Sequence, residues 1–170
     1  MKQRGFTMIE VLVVVAIMGI LMLVSYPNIK NSLEVRNLEN EAREILTTLQ
    51  QAKFQAVKTK LNHRVNFDNN LGYWVYFIER EVSSSNWVEV PRFMRRSIPD
   101  RYTVTINLPN QYLVFTPLGQ AFMNIDPILT YSAIQNDISL QSPNIQRQGQ
   151  PSTRTITIFA GGSIQYVKST

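Results

Sequence analysis

Residues Val11 to Ile29 form a run of nineteen positions without a charged side chain, and Glu10 is the only charge between Phe6 and Ile29. As a helix rising about 1.5 Å per residue, the run spans roughly 28 Å, close to the ~30 Å core of a bilayer. This argues against a wholly cytosolic globule. The run also accounts for the composition, which is 44% hydrophobic but only 17% charged, below the roughly 25% charge of a typical globular chain. A length of 170 residues suits one domain with an appendage.

The remaining composition narrows the chemistry. Without cysteine there is no disulfide framework, thiolate metal site or cysteine nucleophile. The net charge of +5 suggests an anionic partner, but Lys2 and Arg4 precede the apolar run; without them the balance is fifteen against twelve, or +3.

Beyond Pro27 the helical pattern continues, with Leu38, Ala42, Ile45, Leu49, Ala52 and Ala56 at intervals of 4, 3, 4, 3 and 4. Such spacing puts one apolar stripe on an amphipathic helix. Glu34, Glu39, Glu41 and Glu44 come early and Lys53, Lys58, Lys60 and Arg64 late, the order that suits the helix macrodipole. Pro27 is expected to kink one long helix, because its ring removes an amide donor. After Leu61 the period becomes two. Arg64–Phe67 and Tyr73–Ile78 flank the turn-rich segment Asp68–Gly72 and read as a hairpin. Strands are expected at Tyr102–Leu108, Tyr112–Thr116, Ile138–Gln141, Thr153–Ala160 and Ser163–Val167, with Gly161-Gly162 turning the last hairpin. Segments Val82–Asn86 and Ser142–Ser152 read as mobile surface loops. The class is α+β, with a long kinked N-terminal helix packed on antiparallel β-sheet.

A basic start followed by an apolar stretch also suits a secretory signal peptide. The run exceeds the usual ~7–15 residues, however, and passes into the amphipathic helix without a small-x-small cleavage site. A plain anchor leaves Glu10 unexplained, since a carboxylate within such a run is costly unless paired or interfacial. The stretch Lys2-Gln3-Arg4-Gly5-Phe6-Thr7-Met8-Ile9-Glu10 resembles the processing site of type IV pilins and of the pseudopilins of type II secretion. Gly19 and Pro27 also stand where that family has a helix glycine and a kinking proline.

The resemblance implies that prepilin peptidase cuts after Gly5 and methylates the new amino terminus at Phe6. It divides the chain into a cleaved leader (1–5), a transmembrane and filament-core helix (6–29) and a periplasmic pilin-like domain (30–170). Lys2 and Arg4 suit the cytoplasmic side of the inner membrane. The Glu10 carboxylate is expected to pair with the Phe6 amine of a neighbouring pilin or pseudopilin, where low dielectric makes the attraction strong.

Leu49-Gln50-Gln51-Ala52-Lys53-Phe54-Gln55-Ala56-Val57, Val114-Phe115-Thr116-Pro117-Leu118-Gly119-Gln120-Ala121 and the hairpin around Gly161-Gly162 are similar to segments of the GspH/FimT family. That likeness implies a minor, tip-proximal subunit of a type II secretion pseudopilus, or alternatively of a type IV pilus. DNA-binding members carry Gly-Arg-x-Arg in the last hairpin. Here Gly162-Ser163-Ile164-Gln165 has neither arginine, so nucleic acid is not the favoured partner. The remaining candidate for anion binding is Arg92, Arg95, Arg96 and Arg101, with Phe93 and Tyr102 beside them.

No catalytic motif stands out, so neither an enzyme nor a cofactor is expected. His63 reads as a surface residue at the helix end. Asp68-Asn69-Asn70 lacks the later glutamate of a calcium loop and reads as a turn. Trp74, Trp87, Tyr73, Tyr76 and Phe77 read as core or sheet-face residues.

Overall fold

The apolar run and the amphipathic stripe belong to one helix, α1 (Met8–Thr59), continuous through Gly19 and Pro27. The computed structural model describes residues 7–83, 86–123 and 130–169, with only the backbone described at 23–25, 27 and 28. The side chain of Pro27, and with it the expected kinking role, lies outside the described residues. Two compact units are present, Met1–Arg36 and Asn37–Thr170.

After α1 come β1 (His63–Asp68), β2 (Val75–Ser83), β3 (Asn86–Glu89), β4 (Arg96–Ser97), β5 (Thr103–Asn107), β6 (Tyr112–Phe115) and β7 (Ala121–Phe122). They are followed by β8 (Asp137–Gln141), α2 (Pro143–Gln146), β9 (Thr153–Ile158) and β10 (Ile164–Ser169). The strands make two antiparallel sheets, one ordered β3-β2-β1-β6-β7 with β4 also on β2, the other β10-β9-β8-β5. The amide of Ala121 on β7 donates to the carbonyl of Ala160 at 3.0 Å, joining the first sheet to the end of the second.

All six stripe residues of α1 are fully buried. Ala42, Ala52 and Ala56 are interspersed with Leu38, Ile45 and Leu49, and this mixture of small and large groups lets helix and sheets interdigitate. Each buried leucine or isoleucine contributes about 1.5–3 kcal/mol. The opposing layer includes Val65, Phe67, Ile78, Leu113, Phe115, Ile138, Leu140, Ile156 and Ile158, also buried. Ion pairs hold the helix to both sheets, Glu44 to Arg96 of β4 and Glu39 to Lys168 of β10. The helix ends where Lys60 takes a left-handed φ of 60° and its amide donates to Ala56 O at 3.1 Å. This is the usual geometry past a last helical turn, without its usual glycine.

Three expectations are corrected. His63 is not at the surface: it is 1% exposed and opens β1, whose buried positions alternate as His63, Val65 and Phe67. Val82 and Ser83 complete β2 and Asn86 opens β3, so the described part of that segment belongs to the antiparallel pair β2–β3. Ser142–Ser152 is not wholly a surface loop, because it contains α2, and Ser142, Ile145 and Ser152 are buried. Ser142 caps α2, its side chain accepting from the amide of Ile145, and its own amide donates to Ser152 O at 3.0 Å. The Asp68 segment is a turn, the Asn70 amide donating to Asp68 Oδ1 at 2.8 Å.

Candidate assembly site

Glu10 lies in the first turn of α1. Thr7 starts this turn: the Glu10 amide donates to Thr7 O at 3.1 Å and to Thr7 Oγ1 at 3.3 Å, as at an N-cap. A carboxylate here suits the positive end of the helix dipole. Around it Met8, Ile9, Val11, Leu12, Val15, Ile17, Met18, Ile20, Leu21 and Met22 are all exposed, so the apolar surface runs round the whole helix. A helix apolar on every side requires lipid or other apolar helices around it. Among the described residues no helix is long and apolar enough to cross a membrane; Leu23, Val24 and Ser25, which continue the run in sequence, have no described side chains. Gly5 and Phe6, the expected cleavage and methylation positions, lie outside the described residues.

The four arginines do not converge on an anion site. Arg95 pairs with Glu89 at 3.0 Å and stacks its guanidinium 4.1 Å from the Phe77 ring centre. Arg96 is held by Glu44, and Arg101 lies 4.9 Å over Tyr102. Among the described residues only Arg92 of the four has neither an ion pair nor a ring contact. The grouping in sequence is dispersed because β4 turns Arg96 towards α1 while Arg95 faces Glu89 of β3.

Elsewhere the helix is clamped electrostatically. Glu39 accepts from Lys168 at 2.8 Å and from Arg43 at 2.8 Å, and these two hydrogen bonds lower its pKa to about 2. Burial raises the pKa of the Glu41 carboxyl, against the attraction of Arg101 and Arg96. Burial also lowers the pKa of His63, opposed by its 3.0 Å contact with Leu61 O. Half-buried Trp87 and Tyr112 sandwich Arg64, at 4.5 and 5.0 Å from its guanidinium, and Arg64 bridges to Glu79 at 2.6 Å. Among the described residues no group of three His, Cys, Asp or Glu side chains could hold a metal ion.

A contact between distant segments was not foreseen from the sequence. Lys53 Nζ donates to Gly162 O at 2.8 Å. Gly162 has φ +72°, and a Cβ there would collide with the carbonyl of Gly119. Helix, β6–β7 connection and last hairpin therefore meet at one point. Beside it Phe54 is exposed between two grooves. The spacing of apolar residues gave no sign of this, because Phe54 falls off the buried stripe.

Residues 1–26 match the prokaryotic N-terminal methylation motif, and residues 41–162 match the family described as type II transport protein GspH. Two crystal structures of the type IV minor pilin FimU of Pseudomonas aeruginosa (strain PAO1) are similar in fold. The P21 form aligns with a TM-score of 0.54 and 19% identity over 79% of this chain and 90% of that one. The P65 form gives 0.51 and 18% over 76% and 92%. No curated protein matches the chain in sequence. Methylation motif and helix-on-sheet fold together define a pilin-like subunit, of the minor pilin or pseudopilin kind. Within that class, the chain belongs to the GspH family.

Proposed function

We propose that this protein is a structural, non-catalytic minor pseudopilin at the tip of a type II secretion pseudopilus. The observation that carries the secretion reading is the GspH match over residues 41–162. In this reading prepilin peptidase cuts after Gly5 and methylates Phe6, consistent with the motif over residues 1–26. Before assembly the apolar helix lies in the inner membrane, with Lys2 and Arg4 cytoplasmic and the domain from residue 30 periplasmic. After assembly other pilin-like helices replace the lipid around Val11 to Met22. Glu10 then selects register by pairing with the Phe6 amine of a neighbour, because an unpaired charge in that surrounding is expensive.

The second reading, a minor pilin of a type IV pilus, draws on the fold likeness to FimU. Its DNA-uptake branch is disfavoured, since Arg95 and Arg96 already hold carboxylates. Deletion of the gene separates the systems. Loss of exoprotein secretion with pili intact supports the first reading; loss of pili with secretion intact supports the second and removes the first.

A further inference from the structure

We infer that Phe54 and the grooves on either side of it form a docking site for an acidic, apolar-anchored segment of an adjacent pilin-like subunit. This rests on the assembly reading above. Phe54 is 62% exposed although it lies on the helix that carries the core. An aromatic ring left in water at the meeting point of helix and hairpin is the kind of anchor that interfaces bury. One groove, of about 390 Å³, runs between Phe54 and Val57 on one side and, on the other, Gly162 of the last hairpin turn and Ile164 at the start of β10. The other, of about 350 Å³, runs between Phe54 and the Arg92-Phe93 segment. The two share Gln50 and Phe54, so a single segment can straddle the ring.

Charge decides what that segment carries. No carboxylate lines either groove, whereas Lys53, Lys58 and Arg92 do. Lys53 is committed to the Gly162 carbonyl. Lys58 lies 6.0 Å over the Phe54 ring, and neither it nor Arg92 has an ion pair among the described residues. Elsewhere on the domain five ion pairs match arginine or lysine with glutamate. The docking face is thus apolar at its centre and cationic at its rim, complementary to an apolar side chain flanked by Asp or Glu. A nucleic acid backbone needs more converging cations than Lys58 and Arg92 supply, so a protein segment is favoured.

The test uses the full chain in cells that carry the assembly machinery, with a photoreactive phenylalanine derivative in place of Phe54. Filaments are sheared after irradiation and the joined peptide is identified by mass spectrometry. The expected product is a single segment of another pilin-like subunit bearing two or more acidic residues. Its yield should fall at least about five-fold in Lys58→Glu and Arg92→Glu, and recover when the mapped acids are changed to lysine. A product with a segment that lacks acids, a product with DNA, or a yield indifferent to both reversals overturns the inference. Presence of the chain in the sheared fraction reports separately on assembly. Chain present but not joined removes the docking site alone; chain absent removes the assembly reading and the docking site with it.

Discussion

Lys53 Nζ and the carbonyl oxygen of Gly162 are 2.8 Å apart across 109 residues of sequence, and the bond ties the last turns of α1 to the final hairpin. Gly162 can sit there because it has no Cβ. Its φ of +72° and the nearby Gly119 carbonyl both oppose a side chain.

Gly162→Ala should therefore destabilise the protein by more than the ~1–3 kcal/mol of backbone strain alone, because the collision adds to it. Urea unfolding of the full chain in detergent measures this; a midpoint equal to wild type would show that the junction relaxes freely.

Leu49→Ala removes a fully buried side chain from the α1 stripe and should cost about 2–5 kcal/mol. Phe54→Ala, at a 62% exposed position on the same helix, should cost less than about 1 kcal/mol. The two melting temperatures should differ clearly. Equal losses would mean that Phe54 packs in the core.

His63 is the only histidine, and burial lowers its pKa below the ordinary 6.5. Just below pH 6.5 the unfolded chain then binds more protons than the folded one. Stability is full above that pH and falls as pH drops towards the folded value. His63→Gln should flatten the stability profile in this window, and a slope that persists would assign it to another group.

Glu39 titrates in a lower window. Its pKa is lowered from 4.5 to about 2 by Lys168 and Arg43, so its contribution is complete above pH 4.5 and lost as pH falls towards 2. Glu39→Gln should cost about 1 kcal/mol at neutral pH, the scale of two surface pairs, with no further loss on acidification through that range. Thermal melts from pH 5 to 2 compare the profiles; parallel curves for the two proteins would remove Glu39 from the acid response.

Glu10→Ala should leave cleavage after Gly5 intact but reduce recovery of the chain in sheared filaments. Intact mass fixes the cut and immunoblotting the incorporation. Wild-type incorporation would sink the proposed pairing with the Phe6 amine.

The elements most legible in the sequence were those set by local periodicity. The 4, 3, 4, 3, 4 spacing from Leu38 to Ala56 named the buried stripe residue by residue, because a helix repeats its face every 3.6 residues whatever it packs against. The first hairpin and the strands of the second sheet were similarly visible through alternation, with ends displaced by a few residues. β4 and β7 were not, since two residues carry no measurable period. Residue type misled at His63, and nothing in its residue type marks Arg154 as buried. Both are polar, yet β1 and β9 turn them inward, where His63 contacts the Leu61 carbonyl and Arg154 donates to the carbonyls of Pro151 and Thr153 at 2.8 and 3.0 Å.

By itself the sequence determined that an uncharged run leads into an amphipathic helix, that strands follow, and that a glycine, a phenylalanine and a glutamate stand at the spacing of a pilin processing site. These are properties of neighbours along the chain. Only the tertiary structure decided which cations are neutralised and which surface is left without cover. Glu44 and Arg96 are 52 positions apart and Lys53 and Gly162 are 109 apart, so neither pairing has a local signature. Arg95 and Arg96 find carboxylates through strand pairing and helix packing, while Arg92, beside Phe93 and facing Phe54, does not. Periodicity reports which residues share a face, whereas the partner of that face is set by how distant segments close around one core.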